Sequence, residues 1–131
     1  MTETLSIMFV DDTESYRDLV KIVLSTYMKH NLKLAKNGKE AIEFVKNEKF
    51  DLIIADYEMP GIDGKELVES LRKIDKDVPI AVISGKQPRE NIDIIMREDN
   101  VIDFTEKIKI GRLFDYFKVI TTKALAMKKG M

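Results

Sequence analysis

Five short apolar runs, each followed by a stretch with helical periodicity, constrain this chain more than any other feature. Leu5 to Val10, Leu32 to Ala35, Phe50 to Asp56, Ile80 to Ser84 and Val101 to Thr105 read as strands. Between them the apolar residues step by three and four. Tyr16, Leu19, Val20, Val23, Leu24 and Tyr27 form one face of a helix from Thr13 to Met28. Asn37 with Glu40, and Asp63 with Glu66, are capping-box pairs that open two further helices. Their inward stripes are Ala41, Ile42, Phe44 and Val45, then Leu67, Val68, Leu71 and Ile74. Pro88 suits the first turn of a fourth helix with Ile92, Ile95 and Met96 inside. Asp99-Asn100 reads as a turn. A last helix uses Leu113, Phe114, Phe117, Ile120 and Ala124.

Strands that alternate with helices predict an α/β fold, with a parallel sheet covered on both faces in a three-layer, doubly wound arrangement. At 131 residues the chain suits one domain that buries roughly two-thirds of its unfolded surface. We expect that domain over 1–127, with 128–131 a loose tail. A formal net charge of −1 gives no general attraction to nucleic acid or anionic membrane. The absence of cysteine excludes disulfides and thiolate chemistry. No apolar run approaches a membrane span and no secretory pattern opens the chain, so a cytoplasmic location is expected.

In such a sheet, ligands gather beyond the carboxyl ends of the strands. The first strand ends at Asp11-Asp12, the third at Asp56 and the fourth at Ser84, while Lys107 follows the fifth. Three carboxylates, one hydroxyl and one ammonium are thus expected on one edge. Clustered carboxylates repel unless a cation intervenes, and an all-oxygen set favours a hard ion such as Mg²⁺. With charge neutralised, Asp56 can act as a nucleophile toward phosphorus and form an acyl phosphate, with Lys107 and Ser84 contacting phosphoryl oxygens. The plainer alternatives are an Asp56 that caps a turn and an Asp11-Asp12 pair of which one caps the first helix.

The Asp11-Asp12 pair, Asp56 within Asp-x-x-Met-Pro-x-x-Asp-Gly, Ser84, and Lys107 three residues after Phe104 together resemble the receiver domain of two-component response regulators. The resemblance implies a flavodoxin-like sheet in the order 2-1-3-4-5. It implies a phosphoryl group accepted at Asp56 from a sensor histidine kinase or histidine phosphotransfer protein. It also implies Mg²⁺ held by Asp12, Asp56 and the backbone carbonyl of Glu58, with Asp11 acting through water. Ser84 and Phe104 fall on the switch positions, and the fourth helix, fifth strand and fifth helix on the output face toward a downstream protein. Lys86, Arg89, Arg97, Lys109 and Arg112 give that face a basic tint to which no nucleic-acid role is assigned. The chain is expected to be a monomer or a phosphorylation-dependent dimer. The family commonly carries a cis proline after the lysine; here the residue is Ile108, which puts the path into the last helix in question.

Glu58 and Lys86 are expected to flank the pocket mouth as an opposite-charge pair that restricts water. His30 is expected at a solvated helix end, Met8, Met59 and Met96 as core filler, and Tyr57 as packing. Two other classes compete with the switch reading. A receiver-like module could bind partners without phosphorylation. An aspartyl-nucleophile magnesium phosphohydrolase of the haloacid-dehalogenase type would need Asp-x-Asp after the first strand, whereas the motif here is Asp11-Asp12-Thr13.

Overall fold

A computed structural model describes residues 3–85, 92–97, 100–107 and 112–130. Five parallel strands lie in the order β2-β1-β3-β4-β5. They are β1 (Ser6–Val10), β2 (Asn31–Ala35), β3 (Leu52–Asp56), β4 (Ile80–Ser84) and β5 (Val101–Glu106). The helices between them are α1 (Glu14–Lys21), α2 (Gly38–Asn47), α3 (Gly64–Ile74), α4 (Ile92–Met96) and α5 (Leu113–Lys128). This is the doubly wound, flavodoxin-like fold, and the strand order reverses direction beside β1.

Alternation along the strands builds two cores. Met8, Val10, Ile53, Ala55, Ile80 and Val82 point to the side covered by Ala41 and Val45 of α2, Leu67, Val68 and Leu71 of α3, and Ile95 of α4. Ile7, Phe9, Leu52, Ile54, Ala81 and Ile83 point to the side covered by Val20 of α1 and Phe117, Ile120 and Ala124 of α5. All five residues of β3 and all five of β4 are buried, because both strands are central and covered on both faces. The edge strands β2 and β5 are mostly half-buried.

The two capping boxes form as expected. Asn37 accepts from the Glu40 amide at 2.8 Å and Asp63 from the Glu66 amide at 2.9 Å. Asn100 takes a positive φ of 62°, as its turn requires. Thr13 occupies the N-cap of α1 without a side-chain bond, so neither acid of the Asp11-Asp12 pair is the cap residue.

Several expectations need correction. The helix expected to run to Met28 changes at Ile22 into a π-helical stretch, Ile22–Tyr27, where the wider turn brings the adjacent Val23 and Leu24 both into the core. Tyr27 is 68% exposed at its end. Ile74, Met96 and Phe114 are also partly exposed, 36% to 47%, rather than fully inward, each sitting in the first or last turn of its helix. Helix α5 reaches Lys128, one residue into the expected tail, where Nζ lies 3.2 Å from Asp51. Asp51 also accepts the Ser6 amide at 2.8 Å, which ties the start of β1 to the end of α5. Pro88 and the Lys107–Ile108 junction lie outside the described residues.

His30 is buried, not solvated. Its Nδ1 accepts the Leu5 amide at 3.0 Å, which fixes a neutral ring with its proton on Nε2. Burial holds its pKa below the ordinary 6.5. Protonation would remove the acceptor of the Leu5 amide and place a charge in the core. The unfolded chain therefore binds the proton more readily, and stability falls as pH drops from 6.5 toward the folded-state value. In urea titrations the wild type is expected to lose stability across this window with a slope of at most about 1.4 kcal/mol per pH unit from this group. His30→Gln should flatten that slope; an unchanged slope would show that His30 is not its source.

Gly64 opens α3 against the strand that carries Asp56. A Cβ there would lie 2.8 Å from the Tyr57 Cα and 2.6 Å from its ring, closer than packing permits. The Gly64 amide also donates to the Tyr57 carbonyl at 2.8 Å. Although alanine is the better helix former, Gly64→Ala is expected to cost about 1–3 kcal/mol of unfolding free energy in urea titrations.

Candidate functional site

At the carboxyl edge of the sheet, β1 and β3 deliver acids to the same side. Asp56 continues the alternation of Leu52 and Ile54, and Asp11 that of Ile7 and Phe9, toward α1 and α5. The Asp11 amide donates to the Ala35 carbonyl at 3.0 Å, which prolongs the β1–β2 pairing by one residue. Asp11 and Asp56 are buried and Asp12 is exposed. One carboxylate oxygen from each of Asp11, Asp12 and Asp56 lies within 4.8 Å of the others, a spacing suited to a hard cation.

Lys107 completes the cluster. Its backbone amide donates to the Ser84 carbonyl at the end of the β4–β5 ladder. Its Nζ reaches Asp11 Oδ2 at 2.9 Å and Asp56 Oδ2 at 3.7 Å. Asp11 Oδ1 accepts the Thr13 amide at 2.8 Å, and Arg17 donates to the Asp11 carbonyl at 2.8 Å. Asp11 is thus held by an ion pair at Oδ2 and a backbone amide at Oδ1. Arg17 was not foreseen; as a cation one turn after the acidic pair it carried a signal that went unread.

Burial pushes the Asp56 pKa up to about 6, and the Asp11 charge adds to the rise. Lys107 and the Glu58 amide, 3.3 Å from Asp56 Oδ1, oppose it. Asp12 contributes a further, smaller rise.

Ser84 lies one residue beyond the partner of Asp56, since Asp56 pairs with Ile83. It is fully buried, and its hydroxyl donates to Glu58 Oε1 at 3.2 Å. Glu58 is thereby engaged within the site; Lys86, its expected partner across the mouth, lies outside the described residues. Phe104 pairs with Val82, is half-buried, and meets the Tyr57 ring at 5.7 Å between centroids. Tyr57 is buried, as are Met8 and Met59.

With this geometry in place, the comparisons with known proteins agree. Residues 7–116 match the response regulator receiver domain, and the chain belongs to that family. It is 30% identical over 94 residues to the chemotaxis protein CheY-3 of Vibrio cholerae, a match covering 70% of this chain and 72% of CheY-3. It spans only 25% of the length of another curated relative. Among solved structures it is similar to a CheY-like receiver domain protein of Methanospirillum hungatei, with a TM-score of 0.85 at 22% identity over 98% of this chain and 100% of that one. It is also similar to TrrA of Thermotoga maritima, solved in complex with Mg²⁺ and BeF, with a TM-score of 0.77 at 30% identity over 90% and 96% of the two chains. The chain is therefore a receiver domain of two-component response regulators, a signalling domain.

Keeping Asp56 ionised inside the fold costs stability, because its folded-state value of about 6 stands above the ordinary 3.8. That cost is present at neutral pH and disappears as pH falls from about 6 toward 3.8. In chelator-treated buffer at pH 7.5, Asp56→Asn is expected to raise the unfolding free energy by about 1–3 kcal/mol. The gain should shrink by pH 5. A less stable variant would mean that attraction to Lys107 outweighs burial.

Proposed function

We propose that this receiver domain, over residues 1–127, takes a phosphoryl group onto Asp56 from a sensor histidine kinase or histidine phosphotransfer protein and thereby alters its partner-binding face. The observation that carries the reading is the pairing of a three-carboxylate cluster with Lys107, whose ammonium reaches both buried acids. The donor set is all oxygen, which fits Mg²⁺ held by Asp12, Asp56 and the Glu58 carbonyl, with Asp11 nearby. When bound, the ion supplies positive charge that lets carboxylate and phosphoryl oxygens approach one another.

The chain's own residues do the rest. An Asp56 carboxylate oxygen forms the bond to phosphorus as the donor's nitrogen–phosphorus bond breaks, and the donor imidazole keeps the electron pair. Lys107 exchanges its contact with Asp56 for a phosphoryl oxygen, and Asp11 keeps it in reach. The Ser84 hydroxyl leaves Glu58 for a second phosphoryl oxygen. This draws the end of β4 inward and gives Phe104 space to move from its half-buried place against Tyr57. Phenylalanine has no hydroxyl, so packing alone favours its inward position.

The changed face comprises α4, β5 and α5 and would meet a downstream protein. Arg97 and Arg112 are exposed there, while Lys86, Arg89 and Lys109 lie outside the described residues. No direct nucleic-acid contact is proposed. Among the described residues no helix is long and apolar enough to cross a membrane. A cytoplasmic protein, monomeric or dimerising on phosphorylation, suits the reading, and slow self-hydrolysis of the acyl phosphate would reset it.

Intact-mass measurement after incubation with acetyl phosphate and Mg²⁺ tests this directly. The wild type is expected to gain one phosphoryl group, and Asp56→Asn and magnesium-free samples none. No adduct on the wild type would favour a module that binds partners without phosphorylation. Steady turnover of phosphate esters would favour a phosphohydrolase.

A further inference from the structure

Lys107 must travel far to do its work. It leaves β5, an edge strand separated from β1 by β3 and β4, yet its Nζ lies 2.9 Å from Asp11 at the end of β1. A lysine stem has four rotatable carbons and a point charge that carries no orientation of its own, so an extended pose needs lateral support. Besides the two acids, the described residues supply a further support. Tyr16 of α1 presents its ring to the ammonium, with Nζ 4.3 Å from the ring centroid. Tyr16 in turn packs on Phe9 of β1 at 6.0 Å between centroids and an interplanar angle of 32°. Phe9 is fully buried, so the Tyr16 ring leans on a packed core residue of the sheet.

From this arrangement we infer that Tyr16 is a positioning residue for phosphoryl transfer: its ring face holds the Lys107 ammonium over Asp11 and Asp56. The inference rests on Asp56 as phosphoryl acceptor. The ring's negative face attracts the cation at no cost in charge, whereas a further carboxylate would deepen the repulsion already present among the three acids. Tyr16 sits five residues after Asp11, on a helix start pinned by Arg17 to the Asp11 carbonyl and by Asp11 to the Thr13 amide. The same short segment therefore supplies Lys107 with its nearest carboxylate and with its aromatic rest.

The test uses the full chain with three variants at Tyr16, of which Phe keeps the ring face while Leu and Met fill the space without one. In metal-free protein, the Lys107 side-chain protons should show upfield ring shielding by NMR in the wild type and Tyr16→Phe, and lose it in Tyr16→Leu. This readout needs no phosphorylation, so it separates failure of the contact from failure of the acceptor assignment, which the wild-type mass measurement reports. Phosphorylation by acetyl phosphate should slow about three- to ten-fold in Tyr16→Leu and recover to within about two-fold of wild type in Tyr16→Phe. If Tyr16→Leu does not fold, Tyr16→Met carries the same expectation. In a Lys107→Met background the further change Tyr16→Leu should cost less than about two-fold. Shielding unaffected by loss of the ring, no rescue by phenylalanine, or an undiminished cost without Lys107 would each overturn the inference.

Discussion

One ammonium between two buried carboxylates governs how this molecule is put together. Asp11 and Asp56 are removed from solvent on neighbouring strands, and without a cation their mutual repulsion would add to the cost of burial. Lys107 offsets part of that cost, unequally, because it stands closer to Asp11 than to Asp56. Asp11 is thereby the settled partner, with its other oxygen on a backbone amide. Asp56 keeps a raised pKa and the looser contact, which leaves it the acid with most to gain from a new cation or a change of covalent state.

Strand alternation then sends the two buried acids and Ser84 to opposite faces of one sheet. Asp11, Asp56 and Tyr16 belong to the side under α1 and α5. Ser84 follows Ile80 and Val82, and Tyr57 and Phe104 pack with them, on the side under α2 and α3. The two faces meet where Asp56 pairs with Ile83, one residue short of Ser84. A change at the Asp56 carboxyl thus needs to pass only one peptide unit to reach the other face. Glu58 stands at the same crossing: its amide contacts Asp56 while its carboxylate accepts the Ser84 hydroxyl.

Much of this was legible in the residues because it depends on period and spacing. Alternation of apolar runs with helical stripes determines a parallel sheet, and a parallel sheet places every strand's carboxyl end on one edge, so Asp11, Asp56, Ser84 and Lys107 could be gathered before any coordinates. The capping boxes at Asn37 and Asp63 were equally local, and both form. What the residues did not disclose was set by packing between distant segments. His30 looks like a polar residue at a helix end, but the start of β1 lays the Leu5 amide against it. Tyr16 looks like one more member of an apolar stripe, and only the path of Lys107 across the sheet gives its ring a cation. Ile74, Met96 and Phe114 fit their stripes by period yet lie in terminal turns, where the core no longer covers the helix.

Burial is distributed unevenly across the sheet. Strands β3 and β4 are sealed on both faces, so displacing their middles would disturb both cores at once. β5 has one neighbour and half-buried side chains from Ile102 to Thr105, so its residues shift at lower cost. Asp11 and Asp56 stand at the ends of interior strands, while Phe104 and Lys107 come from and follow the edge strand β5. Lys107, following an edge strand, therefore links that strand to acids at the ends of interior ones. On the reading proposed above, a change in the charge on Asp56 would reach β5 through Lys107.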